Sequence, residues 1–197
     1  MERDLQREDW LRAARLALLR GGIEAVRVEK LARSLRVTKG SFYWHFRDRN
    51  DLLDSLLVEW ENEAAEIPPR LGRGTARQRF QALLRQVEQR ARLSEEGKTP
   101  SDAAIFAWAS VDPRVARRVN KAEEERFRLL ARLGRRNQME LFYLVWLGFV
   151  ARGQRLPESR KRFPAIARGL LKLFSAPHSK GRKALAGARH QKESRRG

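Results

Sequence analysis

The sequence predicts an all-α fold of about nine helices. A three-helix helix-turn-helix unit stands at the N-terminus, and a fourth helix joins it to a longer C-terminal helical region. Three observations carry this. Val and Ile are sparse and never alternate with polar residues over a useful length, while Ala, Leu, Arg and Glu dominate. Apolar residues recur instead at i, i+3, i+4 and i+7, the stripe of an amphipathic helix. Capping residues, glycines and prolines punctuate these stretches as helix start and stop signals.

Taken in order, the first helix runs from about Gln6 to Arg20, with Trp10, Leu11, Ala14 and Leu18 on its apolar face and Gly21-Gly22 to stop it. The second is Val28 to Leu35, with Val28, Leu31, Ala32 and Leu35 inward. The third is Lys39 to Phe46, capped by Thr38. The fourth starts after Asp48, carries Leu52, Leu53, Leu56, Leu57 and Trp60, and ends at Pro68-Pro69. After a loop at Leu71 to Gly74, a fifth helix is expected near Ala76–Leu93. Thr99-Pro100-Ser101-Asp102 reads as cap, proline and first-turn acid, and opens a short sixth helix holding Ile105, Phe106 and Trp108. Asp112-Pro113 repeats the device and opens the seventh, to about Leu133. Glu140–Val150 and Ser159–Phe174 give the last two. The expected division is 1–50, 51–174, and a basic tail, 175–197, without an apolar face and expected to be disordered.

Composition narrows the function classes. An apolar share of 42% with 34% charged residues is the balance of a globular chain. With no cysteine there is no disulfide scaffold, thiolate zinc site or cysteine nucleophile, which fits a reducing cytoplasm. The charged start, Met1-Glu2-Arg3-Asp4, has no apolar run behind it, so no secretory signal is expected. The greasiest stretch, Leu141–Ala151, is about half of a membrane span. The net charge of +19 favours polyanions, and most of the cations are Arg, whose planar fork suits phosphate. It divides into +5 over 1–50, +8 over 51–174 and +6 over 175–197. A GC-rich genome, which favours Arg codons, accounts equally well for the cations beyond residue 50.

The break from Arg36 to Lys39 between two short helices makes the helix-turn-helix, whose third helix enters the major groove of DNA. Advancing about 100° per residue from Phe42 returns to the same direction at Phe46, so both phenylalanines face inward. Gly40 and Trp44 then point away from the core, with Lys39 and Tyr43 on one flank and Ser41 and His45 on the other. These side chains are hydrogen-bonding groups for phosphates and base edges, and Gly40 lets the backbone approach closely.

Residues 28–53, VEKLARSLRVTKGSFYWHFRDRNDLL, resemble the signature of the tetracycline-repressor (TetR) family. The specific part is Phe42-Tyr43-x-His45-Phe46-x-x-Arg49-x-x-Leu52. The resemblance covers residues 8–57, and beyond them only helix count and length agree. It implies that Tyr43 and His45 contact phosphates, that Lys39, Ser41 and Trp44 read the groove, and that Arg49 meets a phosphate at the start of the fourth helix. Two positions depart from the family pattern. Arg27 stands where a capping, phosphate-touching Thr is usual, and Arg36 stands in the turn where Gly is usual. Arg27 loses the cap but keeps a phosphate partner, and Arg36 predicts a strained turn.

The resemblance further implies that the C-terminal region binds a ligand and dimerises, its last two helices pairing with those of a second subunit. Phe142, Trp146 and Phe149, with Ile166, Leu170 and Leu173, are the candidates for that dimer interface. Trp60, Phe106, Trp108, Phe127 and Tyr143 are the candidates for a ligand pocket, with a packed core as the plain alternative. The function expected is a cytoplasmic repressor that binds a palindromic operator as a homodimer and answers to a small-molecule effector. No cofactor, metal or membrane partner is expected. A nonspecific architectural DNA binder using the basic tail is the main alternative. An enzyme is disfavoured: His178 and His190 lie in the tail, His45 is on the third helix, and there is no HExxH motif or phosphate-binding glycine loop.

Overall fold

The computed structural model describes residues 5–66, 74–132 and 136–175. Nine α-helices stand among them: α1 Arg7–Gly21, α2 Val28–Leu35, α3 Lys39–Tyr43, α4 Arg49–Glu66, α5 Ala76–Glu95, α6 Asp102–Ala109, α7 Pro113–Ala131, α8 Arg136–Arg155 and α9 Phe163–Ser175. Short 3-10 turns at Ile23–Ala25 and Pro157–Arg162 complete the order. No helix among the described residues is long and apolar enough to cross a membrane. The expected proline stop of the fourth helix and the basic tail after Ser175 lie outside the described residues.

Local chemistry sets the helix ends. Asp9 accepts a 2.9 Å bond from the Gln6 N–H at the start of α1, and Gly22 closes that helix at φ 67°. Asp48 caps α4 through the Asp51 N–H, at 2.9 Å. Thr75 and Gln78 form a reciprocal capping box on α5, at 3.2 and 2.8 Å. Asp112 caps α7 with Pro113 at its first position, as its sequence predicts.

In the C-terminal half, three expected boundaries need correction. Helix α6 does not start at Thr99-Pro100. Thr99 spends its hydroxyl on Ser94, 3.0 Å away, and the helix begins at Asp102, which the core holds. Helix α8 is longer than Glu140–Val150 at both ends. The ninth helix starts at Phe163 because a 3-10 turn takes up Pro157–Arg162.

Two hydrophobic clusters organise the packing. The first joins Trp10, Leu11 and Leu18 of α1, Val28 and Leu31 of α2, Phe42 and Phe46, the leucines of α4, and Ile105, Trp108, Val115 and Val119 from α6 and α7. It therefore runs across residue 50. The second joins Phe80, Leu83 and Val87 of α5 to Phe142 and Tyr143 of α8, with Phe163 and Leu170 of α9.

Buried charges bind the clusters together. Asp102 accepts a 2.6 Å bond from Trp60 Nε1 and faces Arg126 and Arg90, each at 3.5 Å. Burial alone would raise its carboxyl, but the two guanidiniums and the indole N–H outweigh this and hold it below the usual aspartate range. Arg118 of α7 pairs with Glu61 and Asp54 of α4. Buried Arg15 of α1 reaches Glu59 at 3.1 Å and donates to the Gly97 carbonyl at 2.6 Å in the turn between α5 and α6. Arg12 donates to the Glu96 carbonyl at 3.3 Å. Gly97 sits at φ +69°, where an added Cβ would lie 2.7 Å from Leu16 Cγ, so this close approach needs glycine.

Candidate nucleic-acid interface

Helix α3 is held from its inner side. Phe42 and Phe46 are buried; Trp10 meets Phe42 edge-on at 5.2 Å, and Phe46 stacks on it at 5.3 Å. Arg7 covers the Phe46 ring at 4.6 Å and donates to Ser55 at 2.6 Å, tying α1 and α4 to the same ring. The helix proper ends at Tyr43, three residues before the expected Phe46. Trp44 and His45 continue as a turn, closed by the His45 and Phe46 N–H groups on the Phe42 carbonyl, both at 3.0 Å.

The outer side agrees with the helical-wheel expectation. Trp44 is 89% exposed and Tyr43 54%, and Lys39 and Gly40 are exposed beside them. Ser41 and His45 are half-buried flanks. A Cβ at Gly40 would find only Thr38 Oγ1, at an ordinary 3.6 Å, so the protein's own packing does not demand glycine there. Thr38 occupies the cap position in extended backbone, but its hydroxyl makes no cap bond.

The cations around this face are differently employed. Lys39 is paired with Glu29 of α2, a counter-ion ten residues away that no helical periodicity signals. The shared hydrogen bond holds the Glu29 carboxyl below its usual range and raises the Lys39 ammonium. Arg27 makes no cap and bonds to the Glu24 carbonyl and carboxylate at 3.0 and 3.2 Å, staying exposed. Arg49 differs from its expected place on a phosphate. Its Nε donates to Val26 O at 2.6 Å and its Nη2 to Ile23 O at 2.8 Å, fastening the α1–α2 connection to α4. Arg47, a further exposed cation next to this face that no motif singles out, pairs with Asp51 at 3.6 Å. Arg36 closes α2 at φ 59°, ψ 44°, so the turn is left-handed without a glycine.

In the C-terminal half, the five aromatics expected to line a pocket are taken up by packing instead. Trp60 is fixed by Asp102 and covered by Arg126, with Phe106 edge-on at 6.0 Å. Trp108 lies in the first cluster. Phe127 packs on Tyr143, whose hydroxyl donates to Glu123 at 2.7 Å. Burial, reinforced by that bond, pushes the Tyr143 phenol above its usual range. A cavity of about 390 Å³ lies elsewhere, among α5, the start of α6, α8 and the approach to α9. Val87, Trp146, Phe149 and Phe163 wall it, and Leu19 of α1 reaches it.

The expected dimer contacts shift accordingly. Phe142 is buried against Phe80 at 4.9 Å, and Leu170 is also buried within its own chain. Trp146 and Phe149 face the cavity. The Leu173 side chain lies outside the described residues. Ile166 is exposed, and the exposed large apolar residues of α8 are Leu141 and Leu144.

Comparison with known proteins agrees with the architecture. Residues 11–56 match the family model of bacterial regulatory proteins of the tetR family. No curated protein matches the sequence. A crystal structure from Rhodococcus sp., described as that of a TetR-family transcriptional regulator, superposes with a TM-score of 0.64. It covers 86% of this chain and 98% of its own at 19% identity, which establishes the shared fold. Residues 11–56, then, carry the N-terminal helices that define bacterial regulatory proteins of the tetR family, and the chain as a whole has the fold of a TetR-family regulator.

Proposed function

We propose that the protein is a ligand-responsive cytoplasmic repressor that binds a palindromic operator as a homodimer. In this reading residues 1–50 hold the DNA, and 51–174 bind the ligand and dimerise. The observation that carries it is Trp44. An indole this exposed, just past a helix whose inner face is sealed by Phe42 and Phe46, is costly in water and calls for a partner surface. With α3 in the major groove, Lys39, Ser41 and Trp44 meet base edges, and Gly40 keeps the backbone close. Tyr43, His45, Thr38 and Arg27 meet phosphates, and Arg49 positions the α1–α2 connection from behind.

Dimerisation is supported by the exposed Leu141 and Leu144 of α8 and Ile166 of α9, and by the open space around Gly148 and Gly169. A twofold pair would place its recognition helices about 34–36 Å apart, one turn of DNA. The effector is supported by the cavity, whose size suits a small molecule. Selection of bound sequences from a random duplex pool tests the reading. A palindrome with half-sites one turn apart is expected. Recovery of sequences without symmetry, or no enrichment over random DNA, overturns it.

A further inference from the structure

We propose that a second groove on the DNA-binding unit, between α1 and α2, docks an acidic amphipathic segment of a partner protein. The groove encloses about 870 Å³ and no residue of α3 lines it. Its floor is apolar: Ala13, Leu16 and Ala17 from α1, with Leu35 and Val37 beyond, all half-buried in the free chain. Arg20, Lys30 and Arg36 stand exposed on its rim.

Two further observations set the partner's chemistry. The first is that the rim cations have no counter-ion. Arg15, Arg27, Lys39, Arg90 and Arg118 are all ion-paired, but Arg20, Lys30 and Arg36 have no carboxylate partner among the described residues. Arg12, a fourth cation on the groove, is bonded to a backbone carbonyl, and the one acid there, Asp9, is bonded to the Gln6 N–H. The second is that Arg36 occupies a left-handed position that glycine would fill without strain. A cation is therefore kept on the rim at a conformational cost.

An apolar floor under an unpaired cationic rim complements a helix with leucine-like side chains on one face and carboxylates flanking them. Charge excludes the chain's own basic tail as the occupant. DNA is the less suited polyanion, because phosphates find cations here but nothing for the apolar floor.

The test uses the full chain and a fluorescein-labelled twelve-residue peptide with Leu on one helical face and Glu on the other. The controls are its Leu/Lys counterpart and random duplex DNA. The Leu/Glu peptide is expected to bind and to shift the amide resonances of Leu16, Leu35 and Val37. Arg20→Glu with Lys30→Glu should weaken it at least tenfold with the thermal midpoint preserved. Ala17→Glu, which fills and charges the floor, should weaken it similarly. The proposal is overturned if the Leu/Glu peptide does not bind, if the Leu/Lys peptide binds as well, or if the shifted amides lie elsewhere. It is equally overturned if duplex DNA is what shifts those three amides.

Discussion

Truncating Trp44 to alanine separates the DNA-facing role of α3 from its role in the fold. The indole is 89% exposed and has no ring partner among the described residues, so the folded chain loses almost nothing when it is removed. The thermal midpoint of Trp44→Ala should lie within about 1 °C of the parent. Bound DNA changes the account. A tryptophan side chain presents on the order of 200 Å². Covering half of that removes about 100 Å² from water at ~25 cal/mol per Å², roughly 2.5 kcal/mol. The dissociation constant for the selected operator should rise roughly fiftyfold to a hundredfold. Fluorescence anisotropy with labelled operator at one fixed salt concentration measures it, since salt alone shifts such constants strongly. Phe42→Ala is the counterpart, one turn inside, and should cost about 3–5 kcal/mol of stability. An unchanged operator constant for Trp44→Ala, within threefold of the parent, would refute the docking of α3 by its outer face.

Further outcomes concern neighbouring features. Tyr43→Ala should weaken all DNA sites alike, whereas Lys39→Ala should also change base preference in repeated selection; an unaltered preference and affinity for Lys39→Ala would mean a different docking orientation. Glu29→Gln removes the counter-ion that holds Lys39, and should raise DNA affinity several-fold and steepen its salt dependence. Arg36→Gly should stabilise the chain by about 0.5–1 kcal/mol in urea unfolding, because the left-handed strain outweighs the chain entropy glycine adds; a loss of stability would contradict this. Asp102→Asn takes the carboxylate from buried Arg126, while Arg90 keeps Glu63, and should cost about 3 kcal/mol. Because the Asp102 carboxyl is held below its ordinary value of 3.8, its contribution is complete above that value and is lost as pH falls through the lower, folded one. The parent should therefore show an acid decline in midpoint below about pH 4 that Asp102→Asn largely lacks.

What the sequence disclosed follows from how far each interaction reaches along the chain. The inward face of α1, the two phenylalanines of α3 and the Asp112-Pro113 start of α7 rest on contacts within a turn or on strong periodicity, and the structure keeps them. Asp102 looked like a first-turn acid because its real partners, Trp60, Arg90 and Arg126, are brought together only by folding. Arg49 likewise points at the Ile23 and Val26 carbonyls, which only the packing of α1 against α4 sets within reach. Helix α8 is apolar nearly all round, so periodicity could not tell the side that meets Phe80 from the side that carries Leu144. The same ambiguity hid the cavity. Trp146 and Phe149 read as surface for a second subunit, and Trp60 as a pocket wall, when the wall belongs to the first two.

The bonds from Arg12 and Arg15 to the carbonyls of the Gly97 turn have a consequence for how the molecule comes apart. Peeling the first helix from that turn would break the bonds of Arg15 to Gly97 and Glu59 and uncover the leucines of α4 that pack beneath it. Because one cluster spans α1, α2, α4, α6 and α7, these helices are expected to unfold in a single cooperative transition.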